Sequence, residues 1–304
     1  MKPRHSIRTD INILEEQRER RGAIRIVREK HCKPVFYIAL AHKLRFLVFA
    51  LLLMTLIPPR IYGTLIIAKR TRAGELIVGA DSQVANISKS RDLKICKIRK
   101  FGKFYFAISG LYEDRATGYD PYKIAEASMA AAKCDTIDCA AEALKRDIKG
   151  PFLTMLEASL KVDGLAMFTQ WFVNGYPLDI LVFGFHGGTT VIHQLLVRVK
   201  SATEPFKLDW EHSRCPGERC PLQEQFFAAG QTELAFEVVN NRQITQNADP
   251  SQLIHDWIAA VDRISDDVGP PYSVLRITPN GRVEWAYGWN GACEVAAPPR
   301  NRKW

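Results

Sequence analysis

The residues with the clearest chemical potential in this chain lie on either side of a Gly-Thr step. Thr64 follows Gly63 at the head of an apolar, β-rich segment, and Asp81 closes the next such segment. A threonine hydroxyl inside a chain is a poor nucleophile because nothing beside it takes its proton. If the chain is cut after Gly63, the new α-amine of Thr64, with an ordinary pKa of about 7.7–8.0, can act as that base. The sequence therefore predicts a self-contained nucleophile and base, conditional on this cut.

Two predicted β-hairpins follow Thr64 and carry further polar residues. The apolar pattern predicts strands over 65–69, 76–80, 93–98 and 104–108. Asp81 comes directly after the second strand, Lys94 lies near the start of the third, and Gly110 follows the fourth. Each of these residues stands at or near the end of a predicted strand.

Beyond residue 110 the pattern becomes helical and then returns to strands. Ala- and Leu-rich stretches predict helices over 121–133 and 138–161, with a break at Gly150-Pro151. Further elements are expected as strands at 178–185, 189–198, 226–228, 272–277 and 282–287, helices at 233–240 and 251–266, and a loop over 200–221. This order predicts one α+β domain over residues 64–290, a four-layer α-β-β-α sandwich of two antiparallel sheets with helices outside.

The first 63 residues differ in composition from the rest of the chain. They hold 13 Lys or Arg and five acidic residues, so they carry +8 of the net charge of +9. The body is therefore nearly neutral, which argues against nucleic acid as a partner. Residues 1–45 are predicted to be a basic extension, residues 46–63 a signal or anchor segment with a propeptide, and residues 291–304 a flexible tail.

An apolar run at residues 46–57 follows two cations and precedes Pro58-Pro59. It fits the apolar region of a secretory signal better than a full membrane span of ~20 residues. We therefore expect an exported protein, periplasmic or secreted, or one anchored to the membrane through residues 46–57 if the segment stays uncleaved. A buried core helix is the alternative. Ile61 does not suit the −3 position that signal peptidase reads, so a cut at Gly63-Thr64 favours self-cleavage.

Six of the seven cysteines lie after the leader. Two close pairs, Cys134 with Cys139 and Cys215 with Cys220, are candidates for disulfides in an exported chain. A zinc site built from both pairs is the less favoured alternative, because the four-residue gaps lie at the edge of the usual ligand spacing. No metal or organic cofactor is expected.

The order of these motifs resembles that of the N-terminal-nucleophile hydrolases, and within them the proteasome β-subunits and the two-component bacterial proteasome-like proteases. The close match covers residues 63–116 and consists of five short motifs: Gly63-Thr64, Ala80-Asp81-Ser82, Lys94-Ile95-Cys96-Lys97-Ile98, Ser109-Gly110 and Asp114. The predicted order of strands and helices agrees over the remainder.

The resemblance implies a catalytic set. Thr64 is the nucleophile, and its freed α-amine is the general base. Lys94 places a cation near the nucleophile and lowers local pKa values, and Asp81 pairs with Lys94 and holds it. The backbone N–H of Gly110 is the oxyanion donor, a role that is worth ~3 kcal/mol in comparable enzymes.

The resemblance also implies a cleft and supporting groups. Gln83 and Ala85 lie where the family lines its substrate cleft. The family has a serine beside the threonine amine, and no serine stands near Gly230-Gln231-Thr232, where Thr232 is the candidate substitute. The family's later aspartate corresponds to Asp266 or Asp267, with Asp267 preferred.

Three functions are compatible with these residues. The first is a threonine-type hydrolase that cleaves peptide or amide bonds through an acyl-enzyme. The second is a non-catalytic structural or binding subunit that keeps its leader. The third, an amidase acting on a small molecule, shares the chemistry of the first. A homo-oligomer is an open alternative, but a ring fed by an ATP-driven unfoldase is not expected for an exported protein.

Overall fold

A computed structural model of the chain describes most residues of the body, among them Thr64 and Asp81 but not Ala85 or Lys94. The described residues are 64–83, 95–173 except 112 and 115, 177–217 except 202 and 204, 220, 226–240 and 249–288. All belong to the unit Pro59–Trp304. The predictions for the leader and for the tail lie outside the described residues.

Ten strands among the described residues form two five-stranded antiparallel sheets. In chain order they are β1 (Leu65–Arg70), β2 (Leu76–Ala80), β3 (Ile98–Phe101), β4 (Phe104–Gly110), β5 (Leu178–His186), β6 (Thr189–Val199), β7 (Leu208–Cys215), β8 (Phe226–Gly230), β9 (Ser273–Ile277) and β10 (Val283–Tyr287). The first sheet has the order β10-β9-β2-β1-β8, and the second has the order β3-β4-β5-β6-β7.

Five α-helices within the described part of the chain connect these strands. They are α1 (Pro121–Ala131), α2 (Ile137–Asp147), α3 (Lys149–Phe168), α4 (Thr232–Asn240) and α5 (Pro250–Asp262). The backbone of α3 is interrupted at Gly164, and a short π-helical segment, Thr169–Val173, continues from its end.

Three hydrophobic clusters show that the layers follow the order α-β-β-α. One lies between the two sheets and includes Ile66 and Val78 from the first sheet and Ala107 from the second. A second packs α1–α3 against the outer face of the second sheet. A third packs α4 and α5 against the outer face of the first sheet, around the buried Trp257. The predicted α+β sandwich with helices outside is confirmed.

Local sequence signals explain where three helices begin. Asp120 and Asp249 each precede a helix that starts with proline, and each carboxylate accepts hydrogen bonds from two N–H groups of the first turn. Thr136 caps α2 by accepting a hydrogen bond from the Cys139 N–H. These caps satisfy N–H groups that have no partner within the helix.

The structure corrects two predicted boundaries and one predicted loop. Residues 208–215, expected in a loop, form the strand β7, which among the described strands pairs only with β6 and so lies at the edge of the sheet. The helical break falls at Ile148 rather than at Gly150-Pro151, because Pro151 lies in the first turn of α3, where its missing N–H costs nothing. The helix α5 ends at Asp262, so residues 263–267 form turns.

Both candidate cysteine pairs are disulfide-bonded. Cys134–Cys139 lies at the start of α2, and Cys215–Cys220 lies at the end of β7. Arg214, next to one disulfide, binds the carboxylate of Asp138, next to the other, at 2.8 Å.

None of the helices in the described ranges is both long and apolar enough to cross a membrane.

Candidate active site

Thr64 lies directly before β1, an inner strand of the first sheet, and is 8 % exposed. Main-chain bonds hold it from two sides. Its carbonyl accepts a hydrogen bond from the Gln231 N–H at 3.1 Å. The next N–H, that of Leu65, donates to Asp81 Oδ1 at 2.8 Å, and the Asp81 N–H donates back to the Leu65 carbonyl at 3.1 Å. The position of Thr64 is therefore set by β8 on one side and by Asp81 on the other.

Asp81 forms a buried ion pair with Lys97. Lys97 Nζ lies 2.6 Å from Asp81 Oδ1, and both side chains are almost fully buried. The second oxygen, Oδ2, accepts the Gln83 N–H at 3.0 Å and the Gly269 N–H at 3.4 Å. Since Lys97 and the N–H of Leu65 share one oxygen, the ammonium group lies next to the peptide that joins Thr64 to β1.

Burial acts on both members of this pair. Burial raises the pKa of Asp81, while the Lys97 ammonium and the N–H donors of Leu65 and Gly269 oppose that rise. Burial also lowers the pKa of Lys97, and the Asp81 carboxylate opposes this change. A lysine with a lowered pKa beside a nucleophile is typical of sites where proton transfer matters.

The main chain around Lys97 is held by a tyrosine from the outer helical layer. The Tyr122 hydroxyl of α1 lies 3.1 Å from the Lys97 carbonyl and 2.9 Å from the Ile108 carbonyl. It also accepts a hydrogen bond from the Ile108 N–H at 3.3 Å. The Arg99 guanidinium stacks over the same ring, 4.2 Å from its centre. The start of β3 is therefore attached to β4 and α1 near the lysine.

The lysine that binds Asp81 is Lys97, whereas the resemblance pointed to Lys94. Lys94 itself lies outside the described residues, so its own surroundings stay a prediction. Both lysines belong to the same short motif, three residues apart. β3 begins at Ile98 rather than at residue 93, and Lys97 directly precedes it. The lysine just before the strand therefore occupies the place that we expected Lys94 to take.

Gly230 brings the end of β4 up to Thr64. It pairs with Leu65 in the sheet and has a φ of 86°, a backbone conformation that favours glycine. A Cβ at this position would lie 1.6 Å from the Thr64 carbonyl oxygen and 2.7 Å from Ser109 Oγ. Only glycine fits this contact, and Ser109 is therefore a near neighbour of the Thr64 main chain.

Gly110, the expected oxyanion donor, ends β4 next to Ser109. Its φ is 115°, and a Cβ here would lie 2.1 Å from the Pro177 carbonyl oxygen. The structure thus places the Ser109-Gly110 step close to Thr64 and requires glycine there. The role of its N–H toward an oxyanion stays a prediction.

Gln83, expected in the substrate cleft, is bound to the turn that follows α5. Gln83 Nε2 donates to the Asp266 carbonyl at 2.8 Å, and the Ser82 N–H donates to the Gly269 carbonyl at 3.2 Å. Gly269 also packs tightly on Gln83, since a Cβ on it would lie 2.0 Å from Gln83 Oε1. Ala85 lies outside the described residues. The segment around 266–269 therefore forms one wall of the region beside Asp81.

Gln231, the residue before Thr232, contacts the main chain of Thr64, and the supporting role expected of Thr232 stays a prediction. Besides its main-chain bond to Thr64, Gln231 places Nε2 3.4 Å from Asp267 Oδ2. Asp267 therefore lies within reach of the Gln231 side chain, and its supporting role stays a prediction. Thr232 is the first residue of α4 and is half-buried. The position of Gln231 directly after Gly230 could have drawn attention to it, but a glutamine does not by itself indicate a functional role.

Asp114, the acid of the fifth motif, serves a local turn. Its carboxylate accepts hydrogen bonds from the Thr117 hydroxyl and from the Ala116 N–H, and its N–H bonds the Tyr119 carbonyl. The described residues contain no cluster of three or more His, Cys, Asp or Glu side chains suited to a metal ion. The groups that the structure brings together here are Thr64 and the Lys97–Asp81 pair, which is bonded to the N–H of Leu65.

Comparisons with known proteins give only distant similarities. No protein-family model matches the chain, and no curated protein does. Among solved structures, an Anbu (Gly-1) mutant from Hyphomicrobium sp. strain MC1 matches with a TM-score of 0.43 and 12% identity, over 74% of this chain and 87% of that one. Anbu (ancestral beta-subunit) from Yersinia bercovieri matches with a TM-score of 0.43 and 11% identity, over 73% and 87%. Similarities at this level decide neither fold nor function.

Proposed function

We propose that this chain is a threonine-type N-terminal-nucleophile hydrolase that cleaves peptide or amide bonds after the chain is cut at Gly63-Thr64. The observation that supports it most is the buried Lys97–Asp81 pair, which is bonded to the peptide directly after Thr64. A buried ion pair is costly to keep and is weak evidence of a purely stabilising role. Its place at the head of β1 suits a cation that acts on a neighbouring nucleophile.

The proposed activation is an attack of the Thr64 hydroxyl on its own preceding peptide bond. Thr64 Oγ bonds to the carbonyl carbon of Gly63, the Gly63–Thr64 C–N bond breaks, and the nitrogen takes up the proton. Water then hydrolyses the resulting ester, which frees both the hydroxyl and the α-amine of Thr64. The poor match of Ile61 to signal peptidase supports self-cleavage over removal by that enzyme.

In turnover the α-amine takes the Thr64 hydroxyl proton as Oγ attacks the substrate carbonyl carbon. The tetrahedral oxyanion is stabilised by backbone N–H donors, for which Gly110 is our candidate. When the C–N bond breaks, the leaving amine takes the proton from the α-ammonium. A water molecule then cleaves the ester by the same steps. The Lys97 ammonium lowers the pKa of the α-amine, so that more of it is neutral and able to act as base.

Intact mass and N-terminal sequence of the purified protein test this proposal. We expect a mature chain that begins at Thr64 and hydrolyses a peptide or amide library. Thr64→Ala should abolish both the cut and turnover while leaving the melting temperature close to that of the wild type. Thr71→Ala, at the other end of the first hairpin, is the matched control and should change neither. A chain that keeps Gly63 or is cut elsewhere sinks the proposal.

A non-catalytic binding or structural subunit is the second candidate, and one observation favours it. Gln231 stands beside Thr64 and Asp267, where the resemblance implies a serine. Such a subunit would keep its leader, and Thr64→Ala would leave its binding unchanged. Comparing peptides with small amides as substrates, in turn, separates a peptidase from an amidase.

We further propose that the protein is exported or membrane-anchored through residues 46–57. The two disulfides support this, because disulfides persist mainly in oxidising compartments. Fractionation of expressing cells, with thiol counting by mass, tests it. Free thiols at all four cysteines in protein from its native compartment would contradict it. Light scattering of the mature chain tests whether it forms a homo-oligomer.

A further inference from the structure

A second buried acid lies in the interior near Thr64. Asp179 belongs to β5 and is 2 % exposed. Alternate residues of β5, namely Leu181 and Phe183, face the other sheet in the central core, so Asp179 points to the same side. It pairs directly with Ser109 of β4 in the sheet. Asp179 therefore lies at the end of the inter-sheet core that adjoins Thr64.

The side chain of Gln194 connects Asp179 to the opposite sheet. Gln194 Nε2, from β6, lies 3.2 Å and 3.0 Å from the two carboxyl oxygens of Asp179. The same nitrogen lies 3.1 Å from the Ala228 carbonyl of β8. Its two N–H groups can thus serve the acid and the carbonyl together. This is a polar link between sheets within an otherwise apolar core.

The link ends at Ala228, two residues before the Gly230-Gln231 turn that contacts the Thr64 carbonyl. Ala228 pairs with Ile67, and Gly230 pairs with Leu65 in the same ladder. Gly230 fits against the Thr64 carbonyl and Ser109, and Gln231 donates its N–H to that carbonyl. A displacement of β8 therefore moves the groups that hold Thr64.

The surroundings of Asp179 favour its neutral form. Burial raises the pKa of Asp179 well above its usual range, and the Gln194 amide only partly opposes this. The groups that face it are Ser109 of β4, Gln194 of β6 and the main chain of β8. Among the described residues no charged side chain contributes to this shift. A freed α-amine on Thr64 is the one titratable group that processing would add nearby.

We propose that Asp179 and Gln194 are positioning residues for Thr64: their side chains join the second sheet to β8 and so hold the Gly230-Gln231 turn against the Thr64 carbonyl. The link holds the turn whether or not the chain is an enzyme. Its effect on turnover rests on the function proposed above.

Hydrogen exchange at the Gln231 amide tests the link directly, on the full-length chain and without reference to activity. Asp179→Ala and Gln194→Leu should each raise the exchange rate of this amide at least ~10-fold through local opening. Asp179→Asn keeps a neutral acceptor for Gln194 and should stay within ~3-fold of the wild type. Val182→Ala, in the same strand but facing the helices, should lower the melting temperature and leave this amide unchanged.

Activity gives a second readout that tells the two proposals apart. In an active protein, Asp179→Ala should lower kcat ~10-fold or more with little change in KM, and Asp179→Asn should restore it. If the wild type is inactive, the proposed function is contradicted, and hydrogen exchange at the Gln231 amide alone tests the link. The link is overturned if Gln194→Leu and Asp179→Ala both keep the exchange rate of the Gln231 amide and the kcat of the wild type. It is also overturned if Asp179→Asn changes the exchange rate and kcat as much as Asp179→Ala does. If Asp179→Ala does not fold, Gln194→Leu carries the same test.

Discussion

Two buried aspartates are connected to the main chain around Thr64, Asp81 through Leu65 and Asp179 through Gln194 and β8, and their partners make them different chemical groups. Asp81 has a buried lysine at 2.6 Å and three backbone N–H donors. Asp179 has a glutamine amide and, among the described residues, no cation that affects its pKa. The Lys97 ammonium opposes the rise in the pKa of the first beside Thr64, while burial raises the pKa of the second well above its usual range with no such cation to oppose it.

The comparison shows that the partner, and not burial alone, decides what a buried carboxyl contributes. Both side chains are almost fully buried, and burial raises the pKa of each. Only Asp81 has an opposing ammonium to favour its charged form. We therefore assign an electrostatic role near Thr64 to Asp81 and a positioning role to Asp179.

The largest effect is expected from removing the cation. Lys97→Met leaves the Asp81 carboxylate buried without its partner and should lower the free energy of unfolding by about 3–5 kcal/mol. It should also abolish turnover. Lys94→Met is the matched control and should change stability by less than about 0.5 kcal/mol. Urea denaturation of both variants measures this, and a larger loss for Lys94→Met would reverse our assignment of the lysine.

The next effect concerns Gly230, where the two sides meet at Thr64. Gly230→Ala would place a methyl group 1.6 Å from the Thr64 carbonyl oxygen, so the main chain must shift. We expect a loss of about 2–4 kcal/mol in stability and of most activity. Gly118 also has a positive φ, of 73°, but a Cβ there meets nothing within 4 Å. Gly118→Ala should therefore cost only about 1 kcal/mol, and equal melting temperatures for the two variants would argue against the tight contact.

The pH dependence of stability tests whether the pKa of Asp179 is raised in the folded protein. Because the folded pKa of Asp179 is raised, its favourable contribution is complete below about pH 3.9 and is lost as pH rises through the raised value. Asp179→Asn lacks this loss, so its stability relative to the wild type should increase from pH 4 to pH 9. Each pKa unit by which Asp179 is shifted is worth ~1.4 kcal/mol. Parallel urea midpoints for the two proteins across this range would show that Asp179 is not held neutral.

The smallest effect is expected at Gln231. Gln231→Ser keeps the backbone N–H that binds Thr64 and removes a side-chain contact of 3.4 Å to Asp267. We expect a change of less than about 1 kcal/mol in stability. The pH profile of kcat should shift, since the side chain that contacts Asp267 changes next to the main chain that binds Thr64. An unchanged profile would restrict the role of Gln231 to its main chain.

The sequence predicted the layers well because apolar periodicity reports burial, and most strands here are buried on at least one face. It missed β7, in which every residue from Leu208 to Arg214 is only partly buried. An edge strand with charged residues on it lacks the apolar signal on which the prediction depends. Pairing with β6 creates that strand, and pairing is not visible in a local pattern.

The sequence placed Thr64, Asp81 and Gly110 correctly at the ends of strands, because backbone patterning decides such positions. It did not show which side chains meet. Whether Lys94 or Lys97 meets Asp81 depends on where β3 begins, which was misplaced by several residues. Asp179 stands within an apolar strand, and nothing in the sequence pairs it with Gln194.

The Tyr122 hydroxyl makes the outer helical layer part of the mechanics of the site. It touches the carbonyls of both Lys97 and Ile108 from α1, through the sheet that separates that helix from Thr64. A displacement of α1 therefore moves the main chain of Lys97, whose ammonium group binds Asp81. The outer face of α1 is thus mechanically connected to the Lys97–Asp81 pair, with the second sheet between them.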